Sequence, residues 1–324
     1  MMFRTELIPS ASKDKIRPGD EFYLIGSCFA GNIGNLLKTF KFKVLLNPFG
    51  VIYNPYSIFK LLVESISDQA LDEKGLFELQ GIFRHFDFHS DISAGSKDAF
   101  YRLHEEAAKH TREKLAKADW VIISLGTSIV FEHQNYQKIV ANSHKLPGSE
   151  FSRRMLVPEE IIASFDSFYK NLAQVNDKAR IILTVSPVRH IRSTLEENSL
   201  SKAVLRYTAG RLSSVYSKVV YFPSFEIMMD DLRDYRFYKQ DMIHPNETAV
   251  DYIWGKFMDT FFDPEATAFV HHWTEIKKAL GHKPFYPESK AHQKFIRETI
   301  RKIKSFEPRV DIHDELLQLE NQLL

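Results

Sequence analysis

The sequence predicts an α/β fold on a mostly parallel sheet of about five strands, with a helical appendage at the C-terminal end. Three observations predict it. Short apolar runs alternate with helical patterns through most of the chain, the runs are too short to be helices, and after Asp251 the pattern is helical to the end. Candidate strands, in order, are Phe22 to Ile25, Lys43 to Leu46, Trp120 to Leu125, Arg180 to Val185 and Val219 to Phe222. Candidate helices are Asn32 to Lys38, Tyr56 to Ser65, Asp98 to Lys117, Pro158 to Leu172 and Leu200 to Tyr216. The fourth is the clearest: Ile161, Ile162, Phe165, Phe168, Tyr169 and Leu172 fall on one stripe, with Pro158 suited to the first turn. That stripe is core packing and implies no ligand.

Two insertions interrupt the alternation. Phe77 to Ser90 reads as paired short strands, and Ile129 to Ala141, broken at Gln134 and Asn135, reads as a hairpin. The chain divides into a main domain over 1–260, with insertions near 77–100 and 129–157, and an appendage over 261–324. Pro264, Pro284, Pro287 and Pro308 break the appendage. Ile296, Ile300 and Ile303 give its last long helix an apolar edge, which packs on the main domain or on a second copy, so a homodimer stays open.

The 324 residues carry 43 Lys and Arg against 42 Asp and Glu, a net charge of +1. This balance removes any general electrostatic pull toward nucleic acid or a membrane surface, and no local patch is large enough to carry a claim. The opening residues lack the apolar run of a secretory signal, and no stretch approaches a membrane span, so a cytoplasmic protein is expected. No glycine-rich dinucleotide or phosphate-binding motif follows a strand. One cysteine, Cys28, excludes an intrachain disulfide and a cysteine-rich zinc site.

Cys28 lies where the first apolar strand runs through Gly26 and Ser27 into a turn and then a helix. Ligands of open parallel sheets bind at the carboxyl ends of the strands. A thiol there has its thiolate favoured by the helix N-terminus, and neighbouring backbone N–H groups face a developing oxyanion. The plainer reading is a small buried hydrophobe. Near the other end, Asp241-Met242-Ile243-His244-Pro245-Asn246 precedes a helical segment, with Pro245 suited to its first turn. An Asp three residues before a His can hold Nδ1–H and leave Nε2 outward as a base, or the pair can simply cap the helix.

Gly26-Ser27-Cys28-Phe29-Ala30 and Asn47-Pro48-Phe49-Gly50-Val51-Ile52-Tyr53-Asn54-Pro55 resemble the bacterial GSCFA-domain family. Phe86 to Ser90, Leu125 to Ser128, Val140 to Lys145, Ser186 to Arg189 and Asp241 to His244 extend the resemblance over roughly residues 20 to 255. That family is in turn similar to SGNH (GDSL-type) hydrolases, which cleave or transfer acyl groups. The resemblance therefore implies a three-layer α/β/α flavodoxin-like fold, no cofactor, and hydrolysis or transfer of an acyl ester or thioester. The substrate would be a small-molecule or carbohydrate ester, or a coenzyme A thioester. Laid on the Gly-Asp-Ser block without gaps, the nucleophile falls on Cys28, with Ser27 as the alternative. Gly50 matches an oxyanion donor. Gly126-Thr127-Ser128-Ile129 takes the place of Gly-x-Asn-Asp, so Ser128 stands where an oxyanion Asn belongs, and Asn47, Asn54 or Asn142 could replace the missing amide. Asp241 and His244 match the Asp-x-x-His block.

The remaining polar clusters point to binding. His85, Asp87 and His89 alternate with Phe86 and Phe88; this suits a metal trio, but a half-buried edge strand with Phe inward is the expectation, leaving only His89 near the site. Asn142, His144 and Lys145 read as a loop that is either solvated or lines the pocket, and the resemblance favours the pocket. Arg189 follows a strand at its carboxyl end, the edge for ligand contact. The rival to catalysis is a binding module for a polar or carbohydrate ligand that keeps the fold and has lost activity.

Overall fold

Trp120–Leu125 is buried along its whole length, the pattern of a strand with helices on both faces. In the computed structural model, which describes residues 4–191, 194–307 and 310–324, it is the middle strand of five. They are β1 (Glu21–Gly26), β2 (Lys43–Leu46), β5 (Trp120–Leu125), β9 (Arg180–Val185) and β10 (Val219–Phe222), in spatial order β2-β1-β5-β9-β10. Every neighbouring pair is parallel. The chain therefore moves outward from β1 to β2, then crosses back to β5, and the loops after β1 and β5 diverge. In a doubly wound sheet that divergence opens a crevice at the carboxyl ends of the strands.

Strand alternation sends two sets of side chains to two cores. Tyr23, Ile25, Val121, Ile123, Leu125, Ile181 and Leu183 join one buried cluster with residues of α2 (Pro55–Ile66), α3 (Lys97–Leu115), α4 (Pro158–Val175) and α5 (Leu195–Val215). Phe22, Leu24, Trp120, Ile122 and Ile182 join the other, with α1 (Cys28–Thr39) and α7 (Glu247–Phe261). The result is three α/β/α layers, as expected. Between β10 and α7 the chain makes a short helix, α6 (Ser224–Glu226), and a π-helical turn, Ile227–Leu232.

All five strands fall within a residue of their expected bounds. Two helices start earlier than periodicity suggests, because capping rather than apolar spacing sets their ends. Ser27 caps α1 by accepting from Phe29 N, and Thr194 with Glu197 forms a capping box before α5.

The insertions become two small sheets. The antiparallel pair β3 (Leu76–Leu79) and β4 (Ile82–His85) ends before Phe86, short of the expected Ser90. The hairpin β6 (Ile129–His133) and β7 (Lys138–Val140) gains a third strand, β8 (Phe151–Met155), which the sequence did not suggest. In β8, Arg153 pairs with Glu197 and Arg154 with Glu132 and Glu160, so ion pairs hold a strand with little apolar alternation.

The tail forms α8 (Pro264–Leu280), α9 (Lys290–Lys304) and α10 (His313–Glu320). Phe269, Trp273, Ile276, Ile296, Ile303, Ile312 and Leu319 are buried in the same cluster as Phe22, Phe40 and Phe42. The apolar edge of α9 is thus covered within this chain. Pro264 opens α8 and Pro284 and Pro287 lie between α8 and α9, while Pro308 lies outside the described residues. Among the described residues no helix is long and apolar enough to cross a membrane.

Candidate active site

The turn after β1 is shaped by Gly26. Its φ is +133°, and a Cβ there would lie 2.1 Å from the Ser124 carbonyl oxygen. Only glycine lets β1 pass that close to β5 and turn. Ser27 N–H then donates to Ser124 O at 3.0 Å. The Ser27 hydroxyl is 1% exposed, lies 2.8 Å from Ser124 Oγ and accepts from Phe29 N–H. It is a helix cap closed to solvent, which removes it as the alternative nucleophile. Cys28, the first residue of α1, is half-buried, and its Sγ lies 3.6 Å from the Tyr53 hydroxyl. Among the described residues no acceptor takes the Cys28 N–H.

Asp241 and His244 sit on a hairpin closed by a Tyr238–Pro245 bridge, with Lys239 N–H donating to His244 O. Pro245 is thus outside α7, not in its first turn; the cap is Asn246, whose side chain accepts from Ala249 N–H. Asp241 and His244 are therefore not spent as a cap. Asp241 Oδ1 accepts from Ile243 and His244 N–H at 2.9 and 3.0 Å, and Oδ2 lies 2.7 Å from His244 Nδ1. These donors, the backbone N–H groups first and then the imidazole, hold the carboxyl down to about 2. With Nδ1 bound to the carboxylate, Nε2 is the ring atom left to exchange a proton. No hydrogen bond joins Nε2 to Cys28 Sγ among the described residues.

A chain of contacts links hairpin and thiol. Arg189 N–H donates to Ile243 O at 3.3 Å, next to His244. The adjoining His190 ring meets Tyr53 edge-on at 5.1 Å, and Tyr53 reaches Cys28. The segments after β1, β2 and β9 and the Asp241–His244 hairpin are thus gathered on one sheet edge. A surface depression lined by Lys239, Gln240, Asp241, Asn246, Glu247 and Thr248 takes in neither Cys28 nor Arg189, so it is not the space between thiol and base.

The expected oxyanion set is largely committed elsewhere. Gly50, at φ +75° with no room for a Cβ beside His89, donates its N–H to Asn47 O at 2.8 Å. Gly126 and Thr127 N–H both donate to Tyr53 O. Ser128 is fully buried, its N–H and hydroxyl both bonded to Ser201. None of the four offers a free donor, and Ser128 does not stand in for an amide. Asn47 does better. Its Oδ1 accepts from Gly26 N–H at 3.0 Å, which fixes the carboxamide beside the nucleophile turn, and its Nδ2 has no acceptor among the described residues.

Several expected binding residues are structural. Asn54 is 4% exposed and caps α2. Asn142 Oδ1 accepts from His144 N–H at 2.7 Å. His144 is 4% exposed, its Nε2 at 2.8 Å from His85 O and its Nδ1 at 3.0 Å from Ser90 Oγ. His89 is a quarter exposed; it packs on Gly50 and pairs with Asp91. The expected edge strand over 85–89 does not form either. His85 and Asp87 are buried with Phe86 and Phe88, and Lys60 neutralises Asp87 at 2.5 Å. No group of three His, Cys, Asp or Glu able to hold a metal occurs among the described residues.

Burial, opposed by the bond to His85 O, pulls His144 down to about 4. The folded state thus binds this proton less readily than the unfolded chain, whose histidine titrates near 6.5. His144 should cost no stability above about pH 6.5 and on the order of 3 kcal/mol by pH 4, as protons favour the unfolded chain. Denaturant melts from pH 8 to 4 should show that slope, to which His85 and His104, also lowered by burial, add in the same direction, and His144→Gln should reduce it.

Two residues escaped the sequence reading. Tyr53 lies inside a quoted stretch, where nothing but its company marks it. Lys202 is 1% exposed, and its Nζ donates to Gly126 O and Ser186 O, both at 2.7 Å, tying together the loops after β5 and β9. Burial brings its ammonium down to about 7. The signal was present: Asn198, Ser201 and Lys202 continue the buried stripe of Leu205, Ala209 and Leu212 at helical spacing.

Residues 21–257 match the GSCFA family, and residues 273–324 match the C-terminal domain of GSCFA domain proteins. The chain belongs to the GSCFA family. Among curated proteins, none shows a significant match. Among solved structures, this GSCFA protein is similar to one from Streptococcus pneumonia provisionally named as a platelet activating factor. That similarity is at 12% identity, over 74% of this chain and 83% of that one, with a TM-score of 0.39. It is too distant to bear on fold or activity.

Proposed function

We propose that this GSCFA protein hydrolyses or transfers the acyl group of a small ester or thioester through a covalent intermediate on Cys28. The observation that carries the reading is the Asp241–His244 pair, 2.7 Å apart, not used as a cap, and tethered through Arg189 to the sheet edge that holds the helix-terminal thiol. In the first step Cys28 Sγ attacks the carbonyl carbon while His244 Nε2 takes the thiol proton. The oxyanion is met by the Cys28 N–H and Asn47 Nδ2. The intermediate collapses to an acyl thioester on Cys28, and the alkoxide of an ester, or the thiolate of a thioester, leaves with the proton returned by His244. Water, or an acceptor hydroxyl, then attacks the thioester with His244 as base, releasing the acid or the new ester and restoring the thiol. Nε2 and Sγ must approach for this to occur, and catalytic hydrogen bonds commonly tighten only around substrate. Asp241, ionised at any pH well above 2, remains a fixed negative partner for the imidazolium throughout.

Turnover of 4-nitrophenyl acetate by the purified protein, lost in Cys28→Ala, tests the reading. Asn47→Asp is a finer probe, since it keeps the Oδ1 acceptor for Gly26 but removes the amide donor. It should lower kcat about 10²- to 10³-fold with the melting curve unchanged. A second reading, a binding module without turnover, is favoured by the commitment of the Gly50, Gly126 and Thr127 N–H groups to internal bonds. It predicts no turnover and no effect of Cys28→Ala.

A further inference from the structure

We propose that Arg189 anchors an anion subsite, so that the acyl ester taken by this site carries a carboxylate or phosphate group; this rests on the acyl-transfer reading above. Of the four half-buried arginines among the described residues, Arg112 pairs with Asp68 and Arg180 with Asp14, and the exposed Arg153 and Arg154 are paired with Glu197 and Glu160 as well. Among the described residues Arg189 and Arg84 are the half-buried arginines with no carboxylate partner, and Arg84 donates to Leu79 O. Arg189 instead has its guanidinium 4.2 Å from the Tyr238 ring centroid and 5.1 Å from that of Tyr235.

The guanidinium contacts the Tyr238 hydroxyl as well as its ring. A guanidinium carries five N–H donors in a planar fork that matches a carboxylate or phosphate, so one such contact leaves donors for an anion. Tyr238 is 8% exposed, so one stacking partner is rigid. Arg189 also sits at the functional edge, its own N–H bonded to Ile243 and its neighbour His190 against Tyr53. A positive charge held beside the base, on aromatic faces and without an internal counter-ion, is half of an ion pair. An anionic group on the substrate supplies the other half and positions the ester between Cys28 and His244.

The test compares 4-nitrophenyl acetate, mono-4-nitrophenyl succinate and 4-acetoxyphenyl phosphate, each rate divided by that of hydroxide hydrolysis. At least one anionic ester should be preferred by about tenfold or more in kcat/KM. Arg189→Met should bring the anionic-to-neutral ratio within about twofold of one, and Arg189→Lys should restore part of it. Equal ratios in the wild type, or an equal loss on all three esters in Arg189→Met, would overturn the subsite. Calorimetric binding of phosphate and of succinate distinguishes the two proposals. Anion binding lost in Arg189→Met without turnover of any ester keeps the subsite and removes the acyl-transfer reading. Turnover with neither charge preference nor anion binding does the reverse.

Discussion

Replacing His244 with alanine should lower ester turnover by about 10³-fold or more, with little change in melting temperature. The side chain is more than a third exposed and its one side-chain bond is to Asp241, so its loss removes a base rather than a piece of core. Asp241→Asn should cost less than His244→Ala, because the imidazole remains. Yet it should still cost heavily: an amide N–H turned toward Nδ1 favours the wrong tautomer and removes the charge that stabilises imidazolium. The double variant should be close to the worse single one, since groups acting as a unit are not additive. Losses that multiply would mean that Asp241 and His244 act apart, and the hairpin would then be a loop beside a binding pocket. Initial rates on one ester, with melting curves for all three variants, provide the comparison.

Gly26→Ala should be the most destabilising single change at this edge, by about 3–5 kcal/mol. Two costs add. The added methyl meets backbone atoms of Ser124 at 2.1 and 2.9 Å, and backbone does not rotate aside as a flexible side chain does. A φ of +133° is also strained for any L side chain. The bonds that place Cys28 depend on this approach: Ser27 N–H to Ser124 O, Gly26 N–H to Asn47 Oδ1 and Ile52 N–H to Gly26 O. Denaturant unfolding should show the loss in midpoint, and any folded fraction should have lost turnover as well. An unchanged midpoint would mean that β1 and β5 separate readily and that the nucleophile turn is not held as described.

The main sheet was legible because its strands are short apolar runs, the central ones β1, β5 and β9 buried along almost their whole length, and such runs stand out without any partner being known. β8 was not legible: Arg153 and Arg154 are held by Glu132, Glu160 and Glu197, residues that no local pattern connects to it. At the site, short spacing and neighbouring turns single out Cys28, Asp241 and His244 in the sequence. The oxyanion donors are not placed that way, because a backbone N–H carries no mark in the sequence of what it bonds. Gly50, Gly126 and Thr127 look available until the carbonyls of Asn47 and Tyr53 are brought to them. His144 and Asn54 look like pocket polar groups for a related reason. A buried polar residue satisfied by distant backbone, such as His144 on His85 O, reads in sequence like an exposed one.

Trapping the acyl-enzyme shows whether an acyl group passes through Cys28. The protein is mixed with 4-nitrophenyl acetate, quenched in acid within the first turnovers, and examined by intact mass and peptide mapping. One acetyl group is expected on the peptide that contains Cys28, removed by neutral hydroxylamine as a thioester is, and absent from His244→Ala quenched at the same time. Turnover of the ester with Cys28 unmodified, or with the acetyl group on Ser27 or on a lysine, would contradict passage through Cys28.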